Sequence, residues 1–393
     1  MKTVKLYYEN TYQKEFMASV LSCQKGKDGY EIILDQTAFY PEGGGQPSDR
    51  GVLVSQEGLS ILTVNDVQEA GEAIVHKTDA PIEVGSKVIG KIDWARRFDL
   101  MQQHSGEHIV SGFVHEKYKY DNVGFHMGEE MITIDFSGML TWEQLMEIEK
   151  KTNQYIWTNT QVKCRFIDGE DPTIPYRSKK PIKGKVRLVE YPGADLCACC
   201  GTHVDYTGEI GLVKIISVKK FHKGVRVEML AGDRAMKYLA GQMDQNHQIS
   251  VSLSAKVGET ANAVERLKQE NFDLRGEIMG LHQKEYERMA AECKALGDVL
   301  VIREDLEPAE LRKCADSIMK ACGKIAAVFS GNDRDGDRYA LGCAGGNVRD
   351  LVKEMNGALN GRGGGKPEFA QGSLKADKAS IQKFFSEKGF TEK

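Results

Sequence analysis

No stretch of this 393-residue sequence holds the roughly twenty consecutive apolar residues that a membrane-spanning helix needs. The first residues, MKTVKLYYENTYQKEF, also lack the apolar core of an export signal, which points to the cytoplasm. In that reducing compartment the nine cysteines are not expected to form disulfides, which leaves metal binding and core packing for them. A strong charge excess is missing too. The formal net charge of −4 excludes a uniformly basic nucleic-acid coat, so only local basic stretches count. Two exist: RSKKPIKGKVR (177–187), with six Lys/Arg and no acidic residue, and KKFHKGVR (219–226). Each is either a solvated loop or a contact for a phosphate backbone.

What is present centres on two motifs. LMQQHSGEHIVSGFV (100–114) continues a helical period set by Phe98, Met101, Ile109, Val110, Phe113 and Val114. It places His104 and His108 four apart, on one helix face. LCACCGTHV (196–204) spaces Cys199 and His203 in the same way. Three imidazoles and a thiolate make a zinc set. Cys197 and Cys200 are rival thiolates, and together they form a CxxC; Cys199 is preferred because its spacing to His203 mirrors the histidine pair. Four protein ligands suit a structural Zn2+, whereas a catalytic ion keeps a position open for water. Both roles stay open at this point, as does a site in which one of the four is not bound. A competing pattern, HxxEH at 104–108, would make Glu107 the general base of a metallopeptidase with a distant carboxylate as third ligand. That arrangement leaves Cys199 and His203 without a role.

The rest of the chain divides by pattern. Residues 1–92 read as short β segments punctuated by turns, which predicts a small β-barrel or sandwich. Within it, DQTAFYPEGGGQPSDRG (35–51) removes side chains at Gly43, Gly44 and Gly45, where a ligand could approach the backbone closely. Residues 93–232 mix helical and strand patterns, an α+β domain with helices over one antiparallel sheet. Its second helix opens on a capping box of Thr141 and Gln144. Residues 233–298 are helical and lack proline. Val257, Val264, Leu267, Leu274, Ile278 and Leu281, with Asn271 in register, repeat at 3–4 spacing there. This predicts a helical hairpin or coiled coil, a candidate homodimer seam, with a long helix packed on its own domain as the alternative. Residues 299–393 alternate strand and helix in a small α/β domain. Its segment LNGRGGGKPEFAQGS (359–373) reads as a glycine-rich loop, either a solvent-exposed hinge or a site where Arg362 and Lys366 sit beside exposed amides that suit a phosphate.

Five segments, TAFYPEGGGQPSDRG, QQHSGEH, CCGTHV, TGEIGLVKI and GRGGGKPEFAQG, occur in this order over nearly the whole chain. Together they resemble the editing half of alanyl-tRNA synthetase, and even more its freestanding relatives, the alanyl-tRNA editing proteins of the AlaX group, long form. The resemblance implies an N-terminal β-barrel, an editing domain shared with threonyl-tRNA synthetase, a helical linker and a C-terminal DHH-associated domain. It implies hydrolysis, in trans, of tRNA(Ala) mischarged with serine or glycine.

Carried over residue by residue, the family's zinc ligands fall on His104, His108, Cys199 and His203. Its glycine motif falls on Gly43, Gly44, Gly45 and Gln46, expected near the aminoacylated 3′ end. The threonine opening that motif matches Thr37, whose hydroxyl would bond the serine side chain and so reject alanine. FHMGEE (125–130) brings His126 to the pocket. Arg362 and Lys366 become phosphate contacts, with Lys179, Lys180, Lys183 and Lys185 of the first basic stretch as further tRNA contacts. One departure bears on the metal: the synthetases' CGGTH is here CCGTH, so Cys200 replaces a glycine and blurs ligand identity. The family tolerates variation between its two histidines, which makes Glu107 incidental. Neither a class II aminoacylation domain nor an Asp-His-His run is expected, so the chain would charge nothing and be no DHH phosphoesterase. A tRNA-binding protein with a structural zinc is the non-enzyme alternative.

Overall fold

The computed structural model describes residues 1–56, 58, 60–168, 174–178, 184–304, 306–332 and 336–393. It forms two compact units, Met1–His247 and Gln248–Lys393.

The first unit begins with eight strands: β1 (Val4–Lys5), β2 (Glu15–Gly26), β3 (Gly29–Leu34), β4 (Gln36–Thr37), β5 (Gly51–Ser55), β6 (Ile61–Ala70), β7 (Ala73–Thr78) and β8 (Lys87–Ile92). Six of them close a barrel in the order β2-β3-β7-β6-β5-β8. Alternate residues fill its interior, among them Phe16, Ala18 and Val20 of β2, Ile32 and Leu34 of β3, and Leu53 of β5. Strand β7 has no clear sequence signal, because AIVHKT places a histidine and a lysine in its middle. His76 is nevertheless fully buried, its ring bonded to the Ile32 carbonyl at 3.1 Å. The first segment, VKLYYEN (4–10), is a strand over only two residues before a 3₁₀ turn, Leu6–Tyr8.

The glycine-rich loop leaves the barrel between β4 and β5. Its neck is closed by Tyr40 and Asp49: the Tyr40 amide donates to the Asp49 carboxylate at 2.6 Å, and the Asp49 amide donates to the Tyr40 carbonyl at 3.0 Å. The fully buried Arg97 pairs with the same carboxylate and donates to the Ala38 carbonyl at 2.6 Å. Both charges of this buried pair are hydrogen-bonded, so removing either would strand the other.

Next come α1 (Trp94–Tyr118), β9 (Asn122–Met127), β10 (Ile132–Phe136), α2 (Trp142–Ile156), β11 (Lys163–Asp168), β12 (Lys185–Tyr191), β13 (Asp195–Ala198), β14 (Val213–Phe221), β15 (Gly224–Ala231) and α3 (Gly232–Ser252). Asp93 caps α1 by accepting from the Arg96 amide at 3.2 Å. The helix ends on Lys119 in the left-handed region, φ 59°. The capping box of α2 forms, Thr141 Oγ1 accepting from the Gln144 amide and Gln144 Oε1 from the Thr141 amide. The single expected sheet is in fact two, β14-β15-β10-β9 and β11-β12-β13. DLCA (195–198) turns back at 192–194 and pairs with RLVEY, so these strands satisfy their backbone groups apart from the larger sheet. Leu100, Met101, Ile109, Val110, Phe113 and Val114 of α1 join the core with the strands of the larger sheet.

The second unit contains α4 (Thr260–Glu292), β16 (Gly297–Arg303), α5 (Pro308–Cys322), β17 (Gly323–Asn332), β18 (Gly336–Cys343), α6 (Arg349–Ala358), β19 (Gly361–Lys366), β20 (Phe369–Leu374), α7 (Lys378–Glu387) and β21 (Thr391–Glu392). One six-stranded sheet, β19-β20-β18-β17-β16-β21, is covered on both faces. Val299, Val301, Ala326 and Val328 share a cluster with Leu311 and Ile318 of α5. Leu300, Ala327, Phe329 and Leu341 pack with Val352 of α6 and Phe385 of α7. GRGGGK is not a loop: it is the edge strand β19, paired with β20 across Pro367 and Glu368. Glycine is a poor strand former for want of side-chain packing, but an edge strand needs only its backbone to pair. The apolar row of α4 stays uncovered among the described residues, with Leu267, Leu274 and Leu281 all more than half exposed.

Candidate metal centre

The four candidate ligands converge within the first unit. His104 and His108 lie on the buried face of α1, and the segment after β13 carries Cys199 and His203 past them. That segment is not helical, so the four-residue spacing of Cys199 and His203 works through a turn rather than a helix face. The donor atoms of His104, His108, Cys199 and His203 all lie within 4.8 Å of one another. Ring centroids are 4.4 Å apart for His104 and His203 and 4.8 Å for His108 and His203. Cys199 Sγ lies 3.4 Å from His104 Nε2. Gly201 makes this approach possible: a Cβ there would fall 2.1 Å from His104 Cε1.

Each imidazole has its Nδ1 committed elsewhere. His104 Nδ1 bonds Gln46 Oε1 at 2.9 Å, His108 Nδ1 bonds Asp195 Oδ2 at 2.9 Å, and His203 Nδ1 meets the Tyr191 hydroxyl at 3.2 Å. Carboxamide and carboxylate oxygens only accept, so His104 and His108 carry a hydrogen on Nδ1, and Nε2 is the nitrogen left to meet a metal. Among the described residues His203 Nε2 is buried with no hydrogen-bond partner. A buried nitrogen without a partner is costly unless something else binds it. Three Nε2 atoms, one thiolate and oriented outer partners fit Zn2+.

The electrostatics agree. Burial alone would raise the Cys199 thiol, but the imidazoles of His104, His108 and His203 outweigh it and hold the thiol well below its ordinary value. Burial and the charge of His104 push His203 well below the usual histidine range, so it stays neutral. Burial lowers His108, yet Cys199 and Asp195 reverse the sign and raise it. Asp195 is buried, which would raise it, but bonds from His108 and Arg177 hold it down. Arg177 grips both oxygens of Asp195, Nε at 2.7 Å and Nη2 at 2.8 Å. This bidentate pair fixes the carboxylate that orients His108.

A cavity of about 760 Å³ opens beside the ligands, walled by Gly44, Glu107, Phe125, Arg177, Asp195 and Cys197 among others. Gly44, at φ +63°, reaches this wall with open space where a side chain would stand. Gly45, at φ +86°, presses on Phe125, 2.9 Å from where its Cβ would be. Gly43 pairs with Gln46 in an isolated antiparallel bridge. Gln46 is fully buried; besides His104, its Oε1 accepts from the Thr202 amide at 3.0 Å and its Nε2 donates to Thr202 Oγ1 at 2.7 Å. It therefore ties the glycine-rich loop to both halves of the ligand set.

Two residues assigned to the pocket by resemblance lie elsewhere. Thr37 is fully buried in the barrel and is not on the cavity wall. His76 donates from Nδ1 to the Ile32 carbonyl, so its Nε2 accepts the Thr37 hydroxyl hydrogen at 2.8 Å, while Thr37 Oγ1 accepts from the Phe39 amide at 3.1 Å. The hydroxyl has no donor left for a serine side chain. His126 is exposed on β9, and strand alternation gives the cavity Phe125 instead. Lys179, Lys180 and Lys183 lie outside the described residues. Lys185 is exposed on β12, and Arg362 and Lys366 are exposed on β19. Cys197 belongs to a smaller group with His108 and Asp195, and Cys200 belongs to neither.

Gln46, Asp195, Arg177 and Tyr191 support the ligands; Gln46 stands in the glycine motif and Arg177 opens the first basic stretch, while Asp195 and Tyr191 stand in neither. The one local hint for Asp195 is that it opens the strand leading into the cysteine run.

Three family models match the chain. Residues 2–96 match tRNA synthetases class II (A), residues 186–227 match the threonyl and alanyl tRNA synthetase second additional domain, and residues 296–388 match the DHHA1 domain. The second match contains Cys199 and His203 but not the histidines of α1. An alanyl-tRNA editing protein AlaX-L from Pyrococcus horikoshii is 28% identical over 402 residues, covering 96% of each chain. An alanine–tRNA ligase from Ignicoccus hospitalis is 32% identical over 93% of this chain and 40% of its own length. One from Methanoregula boonei is 34% identical over 94% of this chain and 41% of its own. The chain thus spans about two fifths of the ligases it matches.

Proposed function

The chain is a homologue of the alanyl-tRNA editing proteins of the AlaX group, and on that footing we propose that it hydrolyses the ester of tRNA(Ala) mischarged with serine or glycine, at a zinc site made by His104, His108, Cys199 and His203. The observation that carries this is the convergence of three imidazoles and a thiolate, of which His104, His108 and Cys199 line a cavity of about 760 Å³.

Bound by these residues, Zn2+ would supply Lewis-acid polarisation of an ester carbonyl. The protein's part is to orient and to shape. Gln46, Asp195 and Tyr191 hold the three rings in one orientation, and the first two place a hydrogen on Nδ1. Gly44 leaves the cavity wall bare, so a ribose and ester can lie against backbone. Phe125 gives the cavity an apolar face beside His104, with ring centroids 5.3 Å apart. With the Thr37 hydroxyl spent on His76, rejection of alanine falls to polar groups of the cavity wall. Lys185, Arg362 and Lys366 would meet tRNA phosphates. A homodimer would use the exposed apolar row of α4; a single monomer mass in sedimentation equilibrium would remove that seam.

Release of serine from Ser-tRNA(Ala) by the zinc-loaded protein, above the rate in buffer, tests the activity. A tRNA-binding protein with structural zinc would bind the same tRNA tightly without turnover. The HxxEH peptidase is disfavoured because Cys199 and His203 complete the donor set that it leaves idle. Cleavage of a peptide panel by the zinc-loaded protein would reinstate it.

A further inference from the structure

Glu107 is a buried carboxylate on the wall of the cavity that His104, His108 and Cys199 line, and the hydrolysis described above makes no use of it. Its place on α1, three residues after His104 and one before His108, sets it on the face that carries both imidazoles. Its Oε1 accepts from Asn122 Nδ2 and from Ser111 Oγ, two neutral donors. Among the described residues its Oε2 makes no hydrogen bond, yet it is not among the buried polar atoms left without a partner, so it opens to the cavity. Among the described residues of the wall, Arg177 forks onto Asp195 rather than bonding Glu107, although its charge reaches Glu107 as well. A buried carboxylate hydrogen-bonded only by neutral donors can take a directly bonded cation, and the second oxygen shows the side from which that cation would come.

We propose that Glu107 is the acceptor for the protonated α-amino group of the aminoacyl ester; this rests on the deacylase function proposed above. The amine of an aminoacyl ester sits on the carbon next to the ester carbonyl. If that carbonyl lies at the metal ligands, the amine falls within reach of a side chain on the same turn of α1. A divalent ion with a single thiolate leaves net positive charge, which repels an ammonium, and Glu107 offsets it. The same contact makes the cavity select free aminoacyl esters over esters whose amine is missing or acylated, because an ammonium left out of its bond, or a carboxylate left unpaired, is penalised.

The test uses two non-hydrolysable ligands. One is tRNA(Ala) ending in serine joined through a 3′-amide; the other carries a 3-hydroxypropionyl group there, which is the same acyl chain without the amine. Glu107→Gln is suited to the question because its carbonyl oxygen keeps the bonds from Asn122 and Ser111 while a donor replaces the free oxygen. The zinc-loaded protein is expected to bind the amine-bearing tRNA about ten- to a hundredfold more tightly. E107Q is expected to lose that preference while keeping its zinc content and its affinity for the amine-free tRNA. Equal binding of both ligands by the unsubstituted protein would overturn the proposal, as would a preference that survives E107Q. Loss of serine release in E107Q with the preference intact would also overturn it, assigning Glu107 to the hydrolytic step instead. Failure of the unsubstituted protein to release serine from Ser-tRNA(Ala) is a separate result, and it would remove the deacylase function itself.

Discussion

Gln46 and His104 are joined by a 2.9 Å hydrogen bond from the imidazole Nδ1 to the carboxamide oxygen, across 58 positions of sequence. The bond links the glycine-rich loop of the barrel to α1 and decides which nitrogen of His104 can meet a metal. Losing such an outer partner typically weakens metal binding by about ten- to a hundredfold. Gln46→Ala is therefore expected to lower zinc affinity by that factor in competition with a chromogenic chelator. Unchanged affinity would show that His104 needs no such orientation.

Three cysteines compete for the thiolate role, and the geometry favours Cys199. Cys199→Ala should lose stoichiometric zinc, whereas Cys200→Ala should keep it. The reverse pattern in metal analysis would mean that the CCGTH segment binds through its second cysteine.

The buried His76 gives the barrel a pH signature. Burial pulls its pKa from 6.5 down to about 4, so the native state keeps it neutral where an unfolded chain would protonate it. The sign follows: its contribution is fully present above pH 6.5 and is lost as pH falls from there toward 4, with a slope of about 1.4 kcal/mol per pH unit. Urea unfolding between those pH values should be steeper for the unsubstituted protein than for His76→Gln, and parallel curves would contradict this.

Thr37→Val removes the hydroxyl that satisfies His76 Nε2, and should cost about 1–3 kcal/mol of stability. It should leave the ratio of Ser-tRNA(Ala) to Ala-tRNA(Ala) hydrolysis unchanged. A shift of that ratio toward alanine would return Thr37 to the pocket.

The exposed cations on β12 and β19 make a separable prediction. Neutralising Lys185, Arg362 or Lys366 should weaken tRNA binding and lower its salt dependence by roughly one unit of log–log slope per lost contact. An unaltered slope for any one of them would take that residue out of the interface.

Much of this was legible in the sequence because it is periodic or local. The 3.6-residue spacing of His104 and His108, the Thr141–Gln144 box and the alternating runs of the C-terminal sheet each need only near neighbours. What stayed hidden depends on distant pairing. Gln46 finds His104, Asp195 finds both His108 and Arg177, and Tyr191 finds His203 only after the two halves of the site fold together. Strand β7 was masked by His76 and Lys77, whose polarity argues for a loop, while a barrel interior can bury a histidine that has both ring nitrogens bonded. GRGGGK looked like a loop because glycine carries no β signal, although its backbone pairs as well as any. Resemblance misplaced Thr37 and His126, since a motif carries residue identity but not the direction in which a side chain turns.

The most direct measurement follows serine release from Ser-tRNA(Ala) by one preparation in three states: zinc-loaded, stripped with a chelator, and reloaded. The structure-based account predicts release well above buffer in the first state, loss in the second and recovery in the third. Release that ignores the metal, or none in any state, would contradict it.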